Sequence, residues 1–256
     1  RVGVHRDKLR QLFRLLVAAV AVPSTQNSVQ ALLGTVVHPF LHQRTCMSCL
    51  SESFTWVSNL KRDHLYSFPA VVIDEILACA FILPLCHSNI RAPVSQVVSA
   101  TDSSGAQAGS CVAQVPGKVS DVLFRRSEFR GEHGRLDSEL LDHETFSSMI
   151  EPDQDLNELL GCLDWKFPRS YAHHGLHHIN IQEVRAALDE LTRRVEQDGE
   201  RDTRVICAID SRVAVGAIAK GRSSSRSLNA WLRRIAVVSL SSGVTLRPLW
   251  VGTGWN

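Results

Sequence analysis

The most constraining feature of this sequence is a run of five apolar residues, Val205 to Ile209, that ends directly on an acid, Asp210. An apolar run of this length without alternation predicts a strand buried on both faces, as in parallel sheets that are covered by helices. The run therefore indicates an α/β fold. Because the backbone before Asp210 is buried, the charge of its carboxylate needs a partner.

An antiparallel pair of strands is predicted upstream of this run. The stretches Val94 to Ala100 and Ser110 to Val115 are apolar or β-branched, and Ser103-Ser104-Gly105 supplies a break between them. Residues 128–164 then carry eleven acids against Arg130 and Arg135 and show few periodic apolar positions. We interpret about 121–177 as an acidic insertion outside the sheet, in which Leu156, Leu159, Leu160 and Leu163 predict one short helix.

The part of the chain after the insertion predicts two helices and a last strand. Apolar residues at helical spacing predict a helix over about 181–197, with Asn180 and Glu183 as its N-cap and N3 pair. A second stripe covers Leu228 to Val238, and Val244 to Val251 is the last strand. The order of elements is therefore strand, strand, insertion, helix, strand, helix, strand.

The first ninety residues predict a small helical bundle. Apolar positions repeat at helical spacing over Leu9 to Val20, Val29 to Phe40, Cys46 to Leu60 and Val72 to Ala80, with Pro69 in the first turn of the last helix. The apolar run that reaches Val22 contains Arg14 and is too short to span a bilayer, so we expect no membrane contact.

Composition indicates a soluble intracellular protein, in the cytoplasm or the nucleus. The chain is 44% hydrophobic and 21% charged, which excludes disorder of the whole, and its seven cysteines lie in apolar contexts typical of reduced thiols. Cys46 and Cys49 form a C-x-x-C pair that fits either half of a zinc site or buried thiols on a helix. The sequence begins at Arg1 and stops within an apparently structured run, so we expect a fragment of a longer product.

Three carboxylates occupy special places in this order of elements. Asp102 lies at the end of the first strand, Glu183 lies in the first turn of a helix, and Asp210 lies at the end of the buried strand. Strand ends and a helix N-terminus meet at one edge of an α/β sheet, where carboxylates can share two Mg²⁺ or Mn²⁺ ions. Taken singly, each acid also has a simpler structural role. Asp102 could initiate a turn, and Glu183 could be the capping-box partner of Asn180.

The segments around these acids resemble the D…E…D blocks of ribonuclease H-like domains in retroelement polyproteins. The resemblance is carried by Ser99-Ala100-Thr101-Asp102-Ser103-Ser104, His178-Ile179-Asn180-Ile181-Gln182-Glu183 and Ala208-Ile209-Asp210-Ser211, and it continues through Lys220-Gly221-Arg222-Ser223-Ser224-Ser225 to Trp250-Val251-Gly252-Thr253-Gly254-Trp255-Asn256. Leu32-Leu33-Gly34 and His38 to Arg44 resemble the thumb and connection that follow the palm of a retrotransposon reverse transcriptase. The resemblance implies an α/β fold with a mixed sheet flanked by helices, preceded by the small helical bundle. It implies domains at 1–90 (thumb/connection-like) and 91–256 (ribonuclease H-like and incomplete at its C-terminus), with a palm domain upstream in the same polyprotein.

The resemblance also implies an activity, namely hydrolysis of the RNA strand of RNA/DNA hybrids, with Asp102, Glu183 and Asp210 as ligands of two Mg²⁺ or Mn²⁺ ions. The family's fourth carboxylate is expected just beyond Asn256. The spacing of 81 positions from Asp102 to Glu183 requires a third hairpin strand as well as an insertion.

Two other readings remain open from the sequence. A catalytically silent relic would act at most as a nucleic-acid-binding module, with phosphate contacts from Lys220, Arg222, Ser224 and Arg226, in a region (201–256) that holds nine Lys or Arg against Asp202 and Asp210. The same basic residues could also form a solvated face. A zinc protein would use His173, His174, His177 and His178 with Cys162, against a solvated loop as the simpler interpretation.

Overall fold

The chain divides into two units in the computed structural model, which describes residues 1–104, 107–131, 153–172 and 178–252. One unit comprises Arg1–Arg91 and Gly221–Ala236, and we call it the helical unit; the other comprises Ala92–Lys220 and Val237–Asn256, and we call it the sheet unit. No helix in the described residues combines the length and the apolar character that crossing a membrane requires.

The helical unit is built mainly from helices, as its apolar periodicity predicts. These are α1 (Arg6–Ala19), α2 (Gln26–Phe40), α3 (Ser51–Ser58), α4 (Ala70–Ile82) and the first part of α9 (Arg226–Ser242). Short strands β1 (Val2–Gly3) and β2 (His87–Ser88) pair antiparallel, and 3-10 helices cover Arg44–Leu50 and Leu83–Leu85. Its core includes the fully buried side chains of Leu16, Leu33, Phe40, Leu50 and Ile76.

The single helix predicted over Cys46 to Leu60 is wrong, because a 3-10 helix and α3 share that stretch. The reason lies in Glu75 on α4. Its carboxylate accepts the backbone N–H groups of Glu52 at 3.0 Å and Ser53 at 2.8 Å, and these are free amides of a new helix N-terminus. Pro69 is the N-cap of α4 rather than a residue of its first turn.

The sheet unit holds a five-stranded mixed sheet in the order β5-β4-β3-β6-β7. The strands are β3 (Val94–Ser103), β4 (Gln107–Gln114), β5 (Lys166–Ala172), β6 (Arg204–Ile209) and β7 (Thr245–Trp250). β4 pairs antiparallel with β3 and β5, whereas β6 pairs parallel with β3 and β7. The prediction of a mixed α/β sheet flanked by helices is confirmed.

Helices cover both faces of this sheet. One face packs on α5 (Gly117–Arg126) and α6 (Gln154–Gly161) through a core of Val98, Ala100, Leu123, Leu156, Leu160, Ile206, Ala208 and Leu249. The opposite face receives α7 (Ile179–Glu196), whose fully buried Arg194 donates to Val97 O at 2.9 Å and Ser99 Oγ at 3.1 Å. Helix α8 (Arg212–Lys220) follows β6.

The span 121–177, predicted as an insertion, contains parts of the sheet unit itself. It includes the end of α5, the short helix α6 that the leucine spacing predicts, and β5, the third hairpin strand. Described residues 128–131 and 153–164 contain no strand, in agreement with the prediction for the acidic stretch. Most of that stretch, 132–152, lies outside the described residues.

Candidate metal centre

Asp102 and Asp210 are brought together by the parallel pairing of β3 and β6. Ala100 and Ala208 are register partners in these strands, so each aspartate lies two residues beyond a member of the same pair. Parallel strands end at the same edge of a sheet, which explains why the two carboxylates meet there. Asp102 is exposed and its Oδ1 accepts the backbone N–H of Ser103 at 2.8 Å, whereas Asp210 is half-buried.

Glu183 reaches the same place from α7. The predicted N-cap at Asn180 is wrong, because the helix begins at Ile179 and His178 is its N-cap. The Nδ1 atom of His178 accepts the backbone N–H of Asn180 at 3.3 Å. The start is earlier because the imidazole of His178 takes the capping role that the sequence reading gave to the side chain of Asn180. Glu183 is therefore the fifth helical residue, in the second turn, and no longer half of a capping box.

The carboxylate of Glu183 is buried and only partly hydrogen-bonded. The residue is 2% exposed, and Oε1 accepts the backbone N–H of Ser103 at 3.1 Å. Its other oxygen, Oε2, is buried with no hydrogen-bond partner. A buried carboxylate oxygen without a partner is costly, and a bound cation is one means of satisfying it.

All three carboxylates converge on one point. Asp102, Glu183 and Asp210 each offer an oxygen atom, and these atoms lie within 4.8 Å of one another. Burial, followed by the charges of Asp210 and Asp102, raises the pKa of Glu183 to about 8, although the Ser103 N–H opposes the shift. Burial and the charge of Asp102 also raise the pKa of Asp210. Like charges that are held together in this way are stabilised when a cation binds between them.

The donor set fits a hard divalent cation. Carboxylate oxygens suit Mg²⁺ and Mn²⁺, whereas zinc in structural sites prefers cysteine and histidine. None of the three carboxylates forms an ion pair with a described residue, and Glu183 Oε2 supplies an open ligand position. The residues present thus fit a metal ion bound by oxygen ligands at this edge of the sheet.

The backbone that carries Asp210 is fixed by contacts that the sequence did not reveal. Trp250, the last residue of β7, donates its indole N–H to the carbonyl of Asp210 at 3.0 Å. The Arg212 guanidinium lies 4.0 Å from the centroid of the Trp250 ring. Ser211 donates to the Asn180 side chain at 3.3 Å and accepts the N–H of Ala214 at 3.2 Å, which links the strand end to the starts of α7 and α8.

The residues predicted to bind nucleic acid fall in both units. Lys220 ends α8 in the sheet unit, and its side chain lies against Gly131. In the helical unit, Arg226 forms an ion pair with Glu52, and the Arg222 guanidinium lies 5.5 Å from the Phe54 ring centroid. Ser224 is exposed on the same segment. Arg222 and Arg226 thus each contact a residue of their own unit.

The zinc hypotheses gain no geometric support from the described residues. Cys46 is buried in a 3-10 helix, Cys49 is partly buried there, and Cys162 is exposed after α6. His178 caps α7, while His173, His174 and His177 lie outside the described residues. Within the described part of the chain, the three carboxylates alone form a group of three or more potential ligands.

No protein-family model fits the sequence, and no curated protein is found as a relative.

Proposed function

We propose that the sheet unit is a ribonuclease H-like endonuclease that hydrolyses the RNA strand of RNA/DNA hybrids with two Mg²⁺ or Mn²⁺ ions, as part of a retrotransposon reverse transcriptase. The observation that carries the proposal is the meeting of Asp102, Glu183 and Asp210, whose oxygen atoms lie within 4.8 Å of one another. The three acids come from the three sequence blocks that resemble the family. The mixed sheet with an antiparallel pair beside parallel strands is compatible with that resemblance.

The chain's own residues account for the binding part of the mechanism. Asp102 and Asp210 are placed by adjacent parallel strands, and Glu183 brings the unpartnered Oε2 that would become a third ligand. Glu183 has a pKa of about 8 in the metal-free protein, so it releases a proton when it becomes a ligand near neutral pH. Bound divalent ions would activate water and stabilise the leaving 3′ oxygen.

The bond changes follow from this assignment. The oxygen of water adds to phosphorus, the bond from phosphorus to the 3′ oxygen breaks, and the cut ends carry a 5′-phosphate and a 3′-hydroxyl. Three carboxylates by themselves repel a phosphate backbone, so the substrate approaches only when their charge is neutralised. Cleavage should therefore depend strictly on a divalent cation.

The test is cleavage of a hybrid whose RNA strand carries a label at one end. With magnesium, the chain should cut the RNA strand and leave the DNA strand intact. Asp210→Asn should lower the rate roughly a hundredfold or more, the scale for losing one main electrostatic group of an active site. Asp121→Asn on α5 is the matched control, because that carboxylate is exposed on a helix surface. Equal rates for Asp210→Asn and wild type would show that Asp210 is no ligand.

The second candidate is a catalytically silent nucleic-acid-binding module. The exposed Arg222 and Ser224 and the basic 201–256 region support binding without chemistry. A protein that binds hybrid in EDTA yet never cuts it with Mg²⁺ or Mn²⁺ would establish this candidate and refute the enzymatic one.

A further inference from the structure

The two units carry opposite net charges. The helical unit has thirteen Lys and Arg against five Asp and Glu, a net charge of +8, although the whole chain is only +2. The sheet unit has fifteen Lys and Arg against twenty-one Asp and Glu, a net charge of −6. A strong positive excess confined to one unit favours a polyanionic partner for that unit.

Two of the five acids of the helical unit are engaged by arginines outside α1. Glu52 forms an ion pair with Arg226, and Glu75 lies 3.9 Å from Arg233 while it caps the start of α3. The cations of α1 are balanced by one local acid, Asp7, which lies 3.2 Å from Arg10. This pair is exposed on both sides, at 73% and 66%, and contributes little stability.

Three arginines form a stripe on the solvent side of α1. Arg6, Arg10 and Arg14 follow one another at intervals of four residues and are all exposed. Residues four apart lie on the same helix face, about 6 Å apart along the axis, so the stripe extends over about 12 Å. Arg6 and Arg14 form no ion pair with any residue in the described part of the chain.

We infer that this arginine stripe binds the phosphate backbone of a nucleic acid. One strand of a duplex advances about 3.4 Å per phosphate, so a stripe of about 12 Å covers three or four phosphates of one strand. Guanidinium groups match phosphate oxygens in geometry and stay charged at all relevant pH values. Contacts to phosphate carry no sequence information, so the surface should bind hybrids of any sequence.

The packing of α1 argues against an anionic membrane as the partner. A helix that lies in a membrane surface inserts its apolar face among the lipids. In α1 that face is partly used inside the unit, since Leu16 is fully buried and Phe13 packs edge-on against Phe81 of α4, with ring centroids 5.7 Å apart. Leu15 and Val17 stay exposed, at 48% and 42%, so the choice of partner rests on the charged stripe, which a soluble polyanion complements without any insertion into lipid.

The test is the salt dependence of RNA/DNA hybrid binding by the full chain in EDTA, where no cleavage takes place. The variant is Arg6→Gln/Arg10→Gln/Arg14→Gln, since glutamine keeps a similar helix propensity. Three lost phosphate contacts should reduce the slope of log K against log salt by about 2 to 3. Between 50 and 200 mM salt, wild type should lose about 40-fold more affinity than the variant, by the same relation.

The control removes three charges elsewhere. Lys118→Gln/Arg125→Gln/Arg130→Gln alters exposed residues of the sheet unit and should leave the slope near that of wild type. Equal slope changes in the two triple variants would refute a specific surface and leave only an effect of net charge. An unchanged slope in the α1 variant refutes the inference, as does stripe-dependent binding to phosphatidylserine vesicles without binding to hybrid. Since binding is measured without divalent ions, the inference can fail or hold whether or not the sheet unit cleaves RNA.

Discussion

Replacing Glu183 by glutamine is expected to stabilise the metal-free protein and to abolish its stabilisation by magnesium. The carboxylate is 2% exposed, one oxygen has no hydrogen-bond partner, and two aspartates lie beside it. Glutamine has nearly the same shape and does not ionise, and its amide group can donate to the neighbouring carboxylates. The substitution thus removes a buried ionisable group without opening a cavity.

The magnitude follows from the raised pKa of Glu183, about 8 against an ordinary 4.5. A carboxyl whose folded pKa is raised stabilises the fold fully below pH 4.5, and this contribution is lost as pH rises towards 8. At about pH 7 Glu183 is protonated in the folded protein but ionised in the unfolded chain, and this pH lies about 2.5 units above the unfolded pKa. At about 1.4 kcal/mol per unit, taking up that proton costs the folded state about 3 kcal/mol. Removing most of that cost should raise the Tm by about 5 °C or more.

The assay is thermal unfolding in EDTA at about pH 6, 7 and 8, repeated with magnesium. The Tm of wild type should fall across this range, that of Glu183→Gln should change less, and magnesium should raise only the wild-type value. Glu190→Gln is the matched control on the same helix. Glu190 is also 2% exposed, but both of its oxygens accept from Arg193 at 2.9 Å. Breaking that pair should destabilise by about 3 kcal/mol or more. The reasoning is refuted if Glu183→Gln lowers the Tm in EDTA as Glu190→Gln does.

Two further substitutions test the supports of the site and of the sheet. Trp250→Phe removes the indole donor to the Asp210 carbonyl and should weaken magnesium binding about tenfold in calorimetry. The control is Trp231→Phe, which should leave magnesium binding unchanged although the Trp231 ring also stacks on an arginine. Arg194→Met breaks the buried pair with Glu200 and should cost about 3 to 5 kcal/mol in urea unfolding at neutral pH. Burial opposes ionisation of Glu200, but hydrogen bonds from Ser95, Arg194 and Thr203 outweigh it and lower the pKa of this carboxyl. The stability lost in Arg194→Met should therefore become smaller at acidic pH, where Glu200 is protonated.

The elements that carry the three acids were predictable because each has a strong local signal. The apolar run before Asp210 forms β6 at Arg204–Ile209, and the apolar stripe after Asn180 forms α7 at Ile179–Glu196. The placement of Asp102 one residue before the end of β3 also agrees with the sequence. The general rule that parallel strands end together then suffices to expect convergence of the carboxylates.

The missed helices lack the pattern on which the prediction depends. Helix α8 is buried almost all round, from Ala214 to Ala219, and such a helix shows no polar face to reveal its period. Helix α5 begins directly after Pro116, its N-cap, and a proline followed by glycine is equally typical of a loop. Neither an apolar stretch without a polar face nor a proline distinguishes a helix from a loop; the distinction depends on the sheet against which the helix packs.

The supports of the site depend on pairings that are distant in sequence. Trp250 reaches the Asp210 carbonyl, 40 positions away, because β7 pairs with β6 so that Trp250 stands opposite Ile209. The unpartnered oxygen of Glu183 likewise depends on which backbone groups of β3 approach α7. No local pattern encodes these distances, so the ligand residues were predictable whereas the groups that orient them were not.

The opposite net charges of the two units suit different parts of the proposed function. A sheet unit at −6 with three converging acids repels phosphate, and divalent ions bound by those acids would neutralise that repulsion only locally, at the site. The helical unit at +8 can attract the same polyanion without any metal. Affinity for the backbone would then depend on monovalent salt through one unit, and cleavage would depend on divalent ions through the other. Because the two dependences arise from different residues, changing Asp210 should leave the salt slope in EDTA intact, and changing the arginine stripe should leave the requirement for magnesium intact.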